Sequence, residues 1–358
     1  MAGSAAIPII DISTEGADQT QVAKELVDAA VEYGFVYIKN AGRDITAEQI
    51  ENAFNVSRIL FNSPLEDKQR CKIEKNNQGW SGMHTETLDP KTQRVGDFKE
   101  GFNFGPFKDD KATQPILRSI EPYEAQLAAF RASCHDLCRR LLLLFGIGLG
   151  VNPPDFFATA HSPAAPSGSI LRFLYYPPPS STPTAEDGDV RAGAHSDYGS
   201  ITLLFRLRGQ AGLEILEPHT RRWAPVPVTP PGTEENETPP ILVNIGDLLS
   251  YWTNGLLRST VHRVAFSAET AANGESSSDP RYSVVFFCHP ADATPLEPVP
   301  SERVASFRGN DDENAGQSQV QEDVNPYAQR KVLTAAEHLQ MRLRATYLQM
   351  YGEEEGKK

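Results

Sequence analysis

The second half of the chain contains short apolar segments separated by turn residues, and this pattern restricts the possible folds more than any other feature. From about residue 168 onward, runs rich in Val, Ile, Leu, Phe and Tyr alternate with stretches that contain Gly, Pro, Asn and Asp. This spacing is typical of an all-β sandwich or barrel. The predicted strands lie at 169–176, 194–205, 212–216, 222–228, 240–246, 260–266 and 281–288.

The first part of the chain follows a helical pattern instead. Residues 19–33 and 45–60 place apolar side chains at helical spacing, and Thr46 is a suitable N-cap for the second segment. The strongest helix signal covers 120–148, where Leu and Phe recur every three or four residues. Further expected elements are strands at 7–12 and 35–39, a short helix at 64–68, a loop at 76–90 and a last helix at 334–350.

These patterns predict a mainly β protein with flanking helices. No low-complexity linker divides the chain, so we expect its parts to pack as one unit. The expected parts are an N-terminal helix-and-strand region (1–120), a long helix with its connector (121–167), a β core (168–300), and a C-terminal segment with a helix (301–358). Two polar insertions, 228–240 and 267–280, are expected to be solvated loops, although either could be a lid.

Composition excludes several classes of protein. The net charge of −13 argues against a nucleic-acid binder, which needs a basic surface. The longest apolar run, 141–151, is too short to span a bilayer, and the first residues lack the basic start of a signal peptide. Four cysteines in 358 residues do not form a disulfide scaffold. Cys134 and Cys138 have helical spacing and are interpreted as packing residues. We therefore expect a cytoplasmic protein.

His195 and Asp197, within the segment RAGAHSDYGS, are the centre of a possible metal site. Residues i and i+2 of a β-strand point to the same face, so this imidazole and carboxylate could reach one point in space. His262, in a later predicted strand, could return to that point. Two histidines and one carboxylate form the facial triad of non-haem Fe(II) oxygenases. A strand histidine is also often a hydrogen-bonded core residue, and this alternative stays open for His262.

Arg281 and Ser283 have the same i, i+2 spacing in the last predicted strand. A guanidinium and a hydroxyl on one strand face can bind a carboxylate through several hydrogen bonds. An arginine that points into a β core without an acidic partner would be costly to bury, and a carboxylate ligand would remove that cost. The alternative is a surface arginine in a salt bridge.

Taken in order, these motifs and their flanking segments make the family recognisable. The sequence resembles the Fe(II)- and 2-oxoglutarate-dependent dioxygenases of the isopenicillin N synthase-like group, and its C-terminus resembles that of the fungal members. The resemblance covers nearly the whole chain. It is carried by IPIIDIS, GFVYIKNAG, LRFLYYPPP, HSD, GLEIL, VNIGDLLSYWTNGLLRSTVHRV, RYSVVFF and AEHLQMRLRATY.

The resemblance implies a double-stranded β-helix, or jelly-roll, as the β core. It implies that His195, Asp197 and His262 bind Fe(II) and form the catalytic centre. Together with O₂ and 2-oxoglutarate as co-substrate, such a centre oxidises a C–H bond of a small organic molecule, most often by hydroxylation, and releases succinate and CO₂. The fungal relatives suggest a role in secondary metabolism.

The resemblance also implies a co-substrate site. Arg281 and Ser283 would bind the distal carboxylate of 2-oxoglutarate, and Tyr176 matches a tyrosine that helps to hold this molecule. Arg172 shares a strand face with Tyr176 and could also reach the co-substrate; its alternative is a solvated arginine at the rim of the barrel. The interval from His262 to Arg281 is longer than usual in the family, and the insertion 267–280 accounts for the extra length.

Two other functions remain open from the sequence alone. One is an oxidase or oxidative cyclase of the same fold that does not use 2-oxoglutarate, in which the RYS motif would hold a carboxylate of the substrate itself. The other is a non-catalytic protein that uses the fold to bind a small ligand. The sequence predicts neither the substrate nor the oligomeric state.

Aromatic residues from the N-terminal loops and the strand ends are expected to surround the substrate. Such a site suits an apolar or aromatic small molecule. Each of these residues could equally be an ordinary core residue. The candidates are Trp80, Phe102, Phe104, Tyr198, Phe287 and His289.

Overall fold

Two β-sheets face each other in the computed structural model, and helices cover the outer face of the larger sheet. The structure describes residues 4–13, 18–89, 93, 95–178, 191–265, 280–307 and 332–346. The predicted insertion 267–280 lies outside these residues except for Pro280. The insertion 228–240 is described and consists of turns and irregular backbone.

Helix α2 (Ala47–Asn62) begins where the sequence predicts. Thr46 Oγ1 accepts a hydrogen bond from the Gln49 backbone N–H at 3.1 Å, and Gln49 Oε1 accepts one from the Thr46 N–H at 3.0 Å. This reciprocal capping box satisfies two N–H groups that the helix itself cannot. The other helices are α1 (Asp18–Glu32), α3 (Leu65–Gln69), α4 (Glu124–Gly148), α5 (Phe156–Ala160), α6 (Asp247–Trp252), α7 (Glu302–Ser306) and α8 (Ala335–Thr346).

The strands follow the alternating segments of the sequence. In chain order they are β1 (Ile9–Ile10), β2 (Phe35–Ile38), β3 (Gly79–Ser81), β4 (Glu100–Phe104), β5 (Phe107–Lys108), β6 (Lys111–Ala112), β7 (Ile170–Tyr176), β8 (Ala192–His195), β9 (Ile201–Arg206), β10 (Leu213–Leu216), β11 (Trp223–Pro225), β12 (Ile241–Ile245), β13 (His262–Val264) and β14 (Arg281–Cys288). Every predicted strand of the second half is present, which confirms the jelly-roll interpretation.

The large sheet has eight strands in the order β1-β2-β12-β9-β14-β7-β4-β3, and the small sheet has four in the order β11-β10-β13-β8. Only the β1–β2 pair is parallel within the large sheet. The N-terminal region therefore does not form a separate layer. It supplies two strands at each edge of the sheet that also contains the central strands of the core.

Strand alternation gives the large sheet two distinct faces. In β14, Tyr282, Val284 and Phe286 belong to the hydrophobic core under α1, α2 and α4. Arg281 and Ser283 alternate with these residues along the strand. Their side chains therefore point to the opposite face, towards the small sheet. The space between the two sheets is the cavity described below.

Several elements differ from the sequence-based expectations, among them β4, β5, β6, α5 and α7, for which no prediction was made. The predicted loop 76–90 contains β3, which pairs with β4. The predicted strand 194–205 is two strands, since β8 ends at His195 and β9 begins at Ile201. The short helix α6 directly follows β12 and was not predicted, because six apolar and polar residues carry no periodicity long enough to detect.

The remaining expectations concern cysteines and membranes. All four cysteines are buried and free, and Cys134 and Cys138 pack within α4. Among the described helices, none combines the length and the apolar character needed to cross a membrane.

Candidate active site

The structure brings His195, Asp197 and His262 together at one end of the small sheet. His195 ends β8, His262 begins β13, and the two residues are direct cross-strand partners. His195 Nε2 and His262 Nε2 lie 3.8 Å and 3.7 Å from Asp197 Oδ1. One ligand atom from each residue lies within 4.8 Å of the other two. Asp197 lies in the turn after β8 and not on the strand, so the predicted same-strand geometry is wrong although the side chains converge.

Backbone carbonyls determine which ring nitrogen faces this point. His195 Nδ1 lies 2.7 Å from the Gly193 carbonyl oxygen, and His262 Nδ1 lies 3.1 Å from that of Thr260. A carbonyl oxygen can only accept a hydrogen bond, so Nδ1 carries the proton in both rings. Both Nε2 lone pairs are then directed towards Asp197. Burial, and next the charge of His262, lower the pKa of His195 to about 4, so its ring is neutral near pH 7.

Two neighbours hold the carboxylate of Asp197. Thr202 Oγ1 and Asn244 Nδ2 donate hydrogen bonds of 2.6 Å and 2.8 Å to Asp197 Oδ2. Burial raises the pKa of Asp197, but the two imidazoles and these hydrogen bonds outweigh it and keep the pKa below its usual value. Oδ1 of the ionised carboxylate faces the imidazoles. Two neutral imidazole nitrogens and one carboxylate oxygen are a donor set that suits Fe(II).

Arg281 and Ser283 line the same cavity and carry unused hydrogen-bonding groups. Arg281 Nε donates to the carbonyl oxygens of Gln210 and Ala211 at 3.2 Å and 3.0 Å. Its Nη1, and the hydroxyl of Ser283, are buried without a hydrogen-bond partner among the described residues. The guanidinium carbon lies 4.8 Å from the ring centre of Tyr176. Buried polar groups are usually satisfied, so these atoms fit a carboxylate ligand.

Two family models match this chain. Residues 7–122 match the N-terminal domain of the non-haem dioxygenases of morphine synthesis, and residues 167–290 match the 2OG-Fe(II) oxygenase superfamily. The UPF0676 protein C1494.01 of Schizosaccharomyces pombe is 38% identical over 306 residues, which are 84% of this chain and 87% of that protein.

The chain belongs to the 2OG-Fe(II) oxygenase superfamily.

Two further comparisons agree with this assignment. The 2-oxoglutarate-dependent dioxygenase frbA of a Dothideomycetidae species is 28% identical over 300 residues, 79% of this chain and 84% of that protein. A full-length Neurospora crassa protein, crystallised in complex with alpha-KG and thymine, superposes with a TM-score of 0.72 at 25% identity, and the match covers 95% of this chain and 96% of that one.

As a 2OG-Fe(II) oxygenase, the protein is an oxidoreductase that requires Fe(II), 2-oxoglutarate and O₂. Several fungal relatives are 2-oxoglutarate-dependent dioxygenases, and hydroxylation-type oxidation is its class of reaction. The alternative of an oxidase that does not use 2-oxoglutarate is not favoured by these comparisons.

Arg172 of this oxygenase lines the cavity from the face of β7 that it shares with Tyr176. It is on the inner face of β7, but Val285, not Arg281, is its cross-strand partner on β14. Its Nη2 forms a close ion pair with Glu86, and the Glu86 carboxylate also lies 3.2 Å from Lys99 Nζ. The contact of Arg172 with the co-substrate stays a prediction. Glu86 and Lys99 were missed from sequence because they lie in or next to the predicted loop 76–90.

Three of the six predicted aromatic residues line the cavity: Tyr198, Phe287 and His289. The other three, Trp80, Phe102 and Phe104, do not, and the prediction that they contact substrate is wrong. Phe102 and Phe104 point to the outer face of the sheet and belong to the core with Trp80. Strand alternation places the intervening Asn103 on the cavity side instead.

Helix α8 forms a wall of the same cavity, which the sequence did not indicate. Leu339 and Leu343 line the cavity beside Gly168. Arg342 Nη2 lies 2.8 Å from Asp247 Oδ2, and its guanidinium lies 4.9 Å from the ring centre of Tyr198. An ion pair and a cation–π contact therefore fix α8 against the turn that carries Asp197.

Proposed function

We propose that His195, Asp197 and His262 hold Fe(II) and that Arg281 and Ser283 bind the distal carboxylate of 2-oxoglutarate. The observation that carries the proposal is the convergence of two imidazole nitrogens, whose opposite nitrogens are protonated, with one oxygen of a buried carboxylate. When bound, iron with 2-oxoglutarate and O₂ supplies the oxidising chemistry that hydroxylates a C–H bond and releases succinate and CO₂.

The protein residues position and shield the reacting molecules in this proposal. The hydrogen bonds of Thr202 and Asn244 fix the carboxylate of Asp197, so that one oxygen stays directed to the metal position. Tyr176 packs over the Arg281 guanidinium and closes the co-substrate end of the cavity. Leu339 and Leu343 supply apolar surface to the same cavity.

The substrate in this proposal is a small organic molecule. The Neurospora crassa neighbour is known in complex with alpha-KG and thymine and with 5-formyluracil, and its fold covers nearly the whole of this chain. A ligand of that size suits the space between the two sheets here. Tyr198, Phe287 and His289 supply the aromatic surface around it. A non-catalytic ligand-binding protein would have no need of both the metal triad and the Arg281 site.

Anaerobic titration with Fe(II), followed by 2-oxoglutarate, tests the metal assignment. We expect one equivalent of Fe(II) to bind, and a visible charge-transfer band to appear when 2-oxoglutarate chelates the metal. His195→Ala removes a ligand and should abolish both the band and succinate formation. His219→Ala is the matched control, since His219 is an exposed histidine whose side chain is 64% accessible. Full turnover by His195→Ala would refute the ligand set.

A substitution at Arg281 tests the proposed binding of 2-oxoglutarate. Arg281→Ala should raise by about 100-fold the 2-oxoglutarate concentration at which the charge-transfer band reaches half of its maximal absorbance. The reason is that a charged hydrogen-bonded pair contributes about 1.5–3 kcal/mol. The control Arg222→Ala removes an equal charge from an exposed arginine next to β11 of the small sheet. An unchanged midpoint in Arg281→Ala would show that the diacid binds elsewhere.

A further inference from the structure

We propose that the cavity recognises an uncharged amide or imide group of the substrate through Arg172 and Asn103, which act as specificity-determining residues. Arg172 would donate to a carbonyl oxygen of this group, and Asn103 would accept from its N–H. The inference rests on the proposed function, because it concerns the molecule that is oxidised at the same metal centre.

The two arginines of the cavity differ in their electrostatic surroundings. Arg281 pairs with no carboxylate among the residues that the structure describes, and its Nε is satisfied by backbone carbonyl groups alone. Arg191 lies near it, and the charge of Arg281 helps burial to lower the pKa of Arg191 to about 10. Because Arg281 has no carboxylate partner among the described residues, this part of the cavity suits a dianionic co-substrate.

Arg172 belongs to a compensated group of four charges. Its partner Glu86 accepts a hydrogen bond from Ser81 Oγ at 2.9 Å and lies 3.2 Å from Lys99 Nζ, while Lys99 forms a second close ion pair with Asp97. The formal charges of these two carboxylates and two cations add up to zero. Glu86, Asp97 and Lys99 are almost completely buried. A substrate carboxylate placed against Arg172 would face Glu86 without a free countercharge, so an uncharged group is favoured.

The position of the Arg172 guanidinium is fixed by the strand beside it. A Cβ on Gly101 would lie 2.8 Å from Arg172 Nη2 and 2.9 Å from Ser81 Oγ. The absence of a side chain at Gly101 thus creates the space in which the guanidinium lies between β7 and Glu86. An arginine held in this way keeps a planar set of N–H donors in one orientation.

Asn103 supplies the complementary acceptor. It lies opposite Arg172 in the β4–β7 pair and lines the cavity. Its Nδ2 donates to the backbone oxygen and to Oδ1 of Asn77 at 2.9 Å and 3.0 Å, which fixes the orientation of the amide. Asn103 Oδ1 is buried and has no hydrogen-bond partner among the described residues. A buried acceptor without a partner is unfavourable, and a substrate N–H would satisfy it.

An arginine donor and an amide acceptor on adjacent strands match a group that has C=O and N–H side by side. Lactams, cyclic imides and pyrimidine bases contain this group in a flat ring. Ile170, Phe287 and Leu339 line the cavity nearby and supply apolar surface for such a ring. A site built to hydrogen-bond a polar group rejects an analogue that lacks the group, because the partners in the protein are left unsatisfied.

Calorimetric titration of the full chain, loaded anaerobically with Fe(II) and 2-oxoglutarate, tests this inference. The probes are 2-pyrrolidone, glutarimide and thymine, each with its fully N-methylated analogue, and 4-methylbenzoate as a carboxylate of similar size. We expect at least one N–H compound to bind about tenfold or more tightly than its N-methylated analogue and than 4-methylbenzoate. Tighter binding of the carboxylate, or equal binding within every pair, would overturn the inference.

Substitutions distinguish recognition of the substrate by Asn103 and Arg172 from a purely structural role of these residues. Asn103→Ala should reduce the N–H to N-methyl affinity ratio from about ten to about one, whereas a general loss of packing would weaken both members of a pair equally. Arg172→Lys keeps the charge beside Glu86 and should weaken binding of the carbonyl compounds. Asn55→Ala, at an exposed asparagine of α2, is the control and should leave the ratio unchanged. An unchanged ratio in Asn103→Ala would refute the role of this residue.

The charge-transfer band of Fe(II) and 2-oxoglutarate is recorded on each sample before the probes are added. A band without discrimination among the probes overturns this inference and leaves the proposed function intact. Absence of the band in the unmodified protein contradicts the proposed function itself.

Discussion

Asp197 shows how one residue of the candidate site depends on neighbours that contact no ligand. Its two carboxylate oxygens have different surroundings, because Oδ2 accepts hydrogen bonds from Thr202 and Asn244 while Oδ1 faces His195 and His262. The hydrogen bonds restrain rotation of the carboxylate and leave one oxygen directed to the proposed metal position. Neighbours of this kind set the affinity of a site as well as its geometry.

Thr202→Val tests this dependence at nearly constant side-chain volume. Loss of the 2.6 Å hydrogen bond frees the carboxylate of Asp197, so we expect the Fe(II) dissociation constant to rise about 10- to 100-fold. Anaerobic calorimetric titration with Fe(II) measures it. Thr220→Val, at an exposed threonine, is the control and should bind Fe(II) like the unmodified protein. Equal dissociation constants for the two variants would contradict this account of Asp197.

At the residue scale, the sequence predicted the metal triad but not the substrate wall. The HSD, HRV and RYS motifs are recognisable from residue type and order alone, and the structure brings their side chains into one cavity. Half of the aromatic candidates do not line the cavity, because residue type was considered without strand register: Phe102 and Phe104 were preferred as ring-bearing residues. The alternation of β4 turns both away and places Asn103 towards the cavity.

At the element scale, the strands of the core were predictable because each is a short apolar segment between turn residues. The position of α8 was not. Its sequence indicates a helix, but nothing local to it specifies that Leu339 and Leu343 pack over a cavity. That contact depends on Asp247 in α6 and on Tyr198, which are distant in the sequence. A contact of this kind appears only when the fold brings the elements together.

Arg342→Ala should loosen α8 while the rest of the fold persists. The substitution leaves Asp247 buried without its cation, and burial already raises the pKa of this carboxyl. We expect the amides of α8 to exchange hydrogen about tenfold faster, which corresponds to about 1.4 kcal/mol of lost docking energy. Hydrogen–deuterium exchange read by mass spectrometry measures this change.

Arg344→Ala is the matched control on the same helix. Arg344 is exposed, so its removal changes the helix charge equally without touching Asp247 or Tyr198. Exchange in α8 should stay at the level of the unmodified protein in this variant. If both variants accelerated exchange to the same extent, helix charge alone would explain the effect, and the ion pair would have no special part in docking.

At the scale of the whole molecule, the N-terminal region and the oxygenase core share one sheet. β1 and β2 extend it beyond β12, and β3 and β4 extend it beyond β7. The cavity uses residues from both regions, since Lys99 and Asn103 face Arg172 of the core. Sequence patterns predicted that the parts pack as one unit. They could not predict a shared sheet, because strand pairing between distant segments leaves no local signal.

A shared sheet predicts a single unfolding transition for the whole chain. Differential scanning calorimetry should give one peak, because melting the edge strands exposes the inner strands of the same sheet. Ligands that bind only the folded protein stabilise it as a unit. Fe(II) and 2-oxoglutarate, each at 100 times its dissociation constant, should contribute about 2.7 kcal/mol apiece and together move the entire peak upward by about 7 °C. Two peaks, of which only one responded to these ligands, would mean that the edge strands from the N-terminal region melt independently of the sheet that carries the metal site.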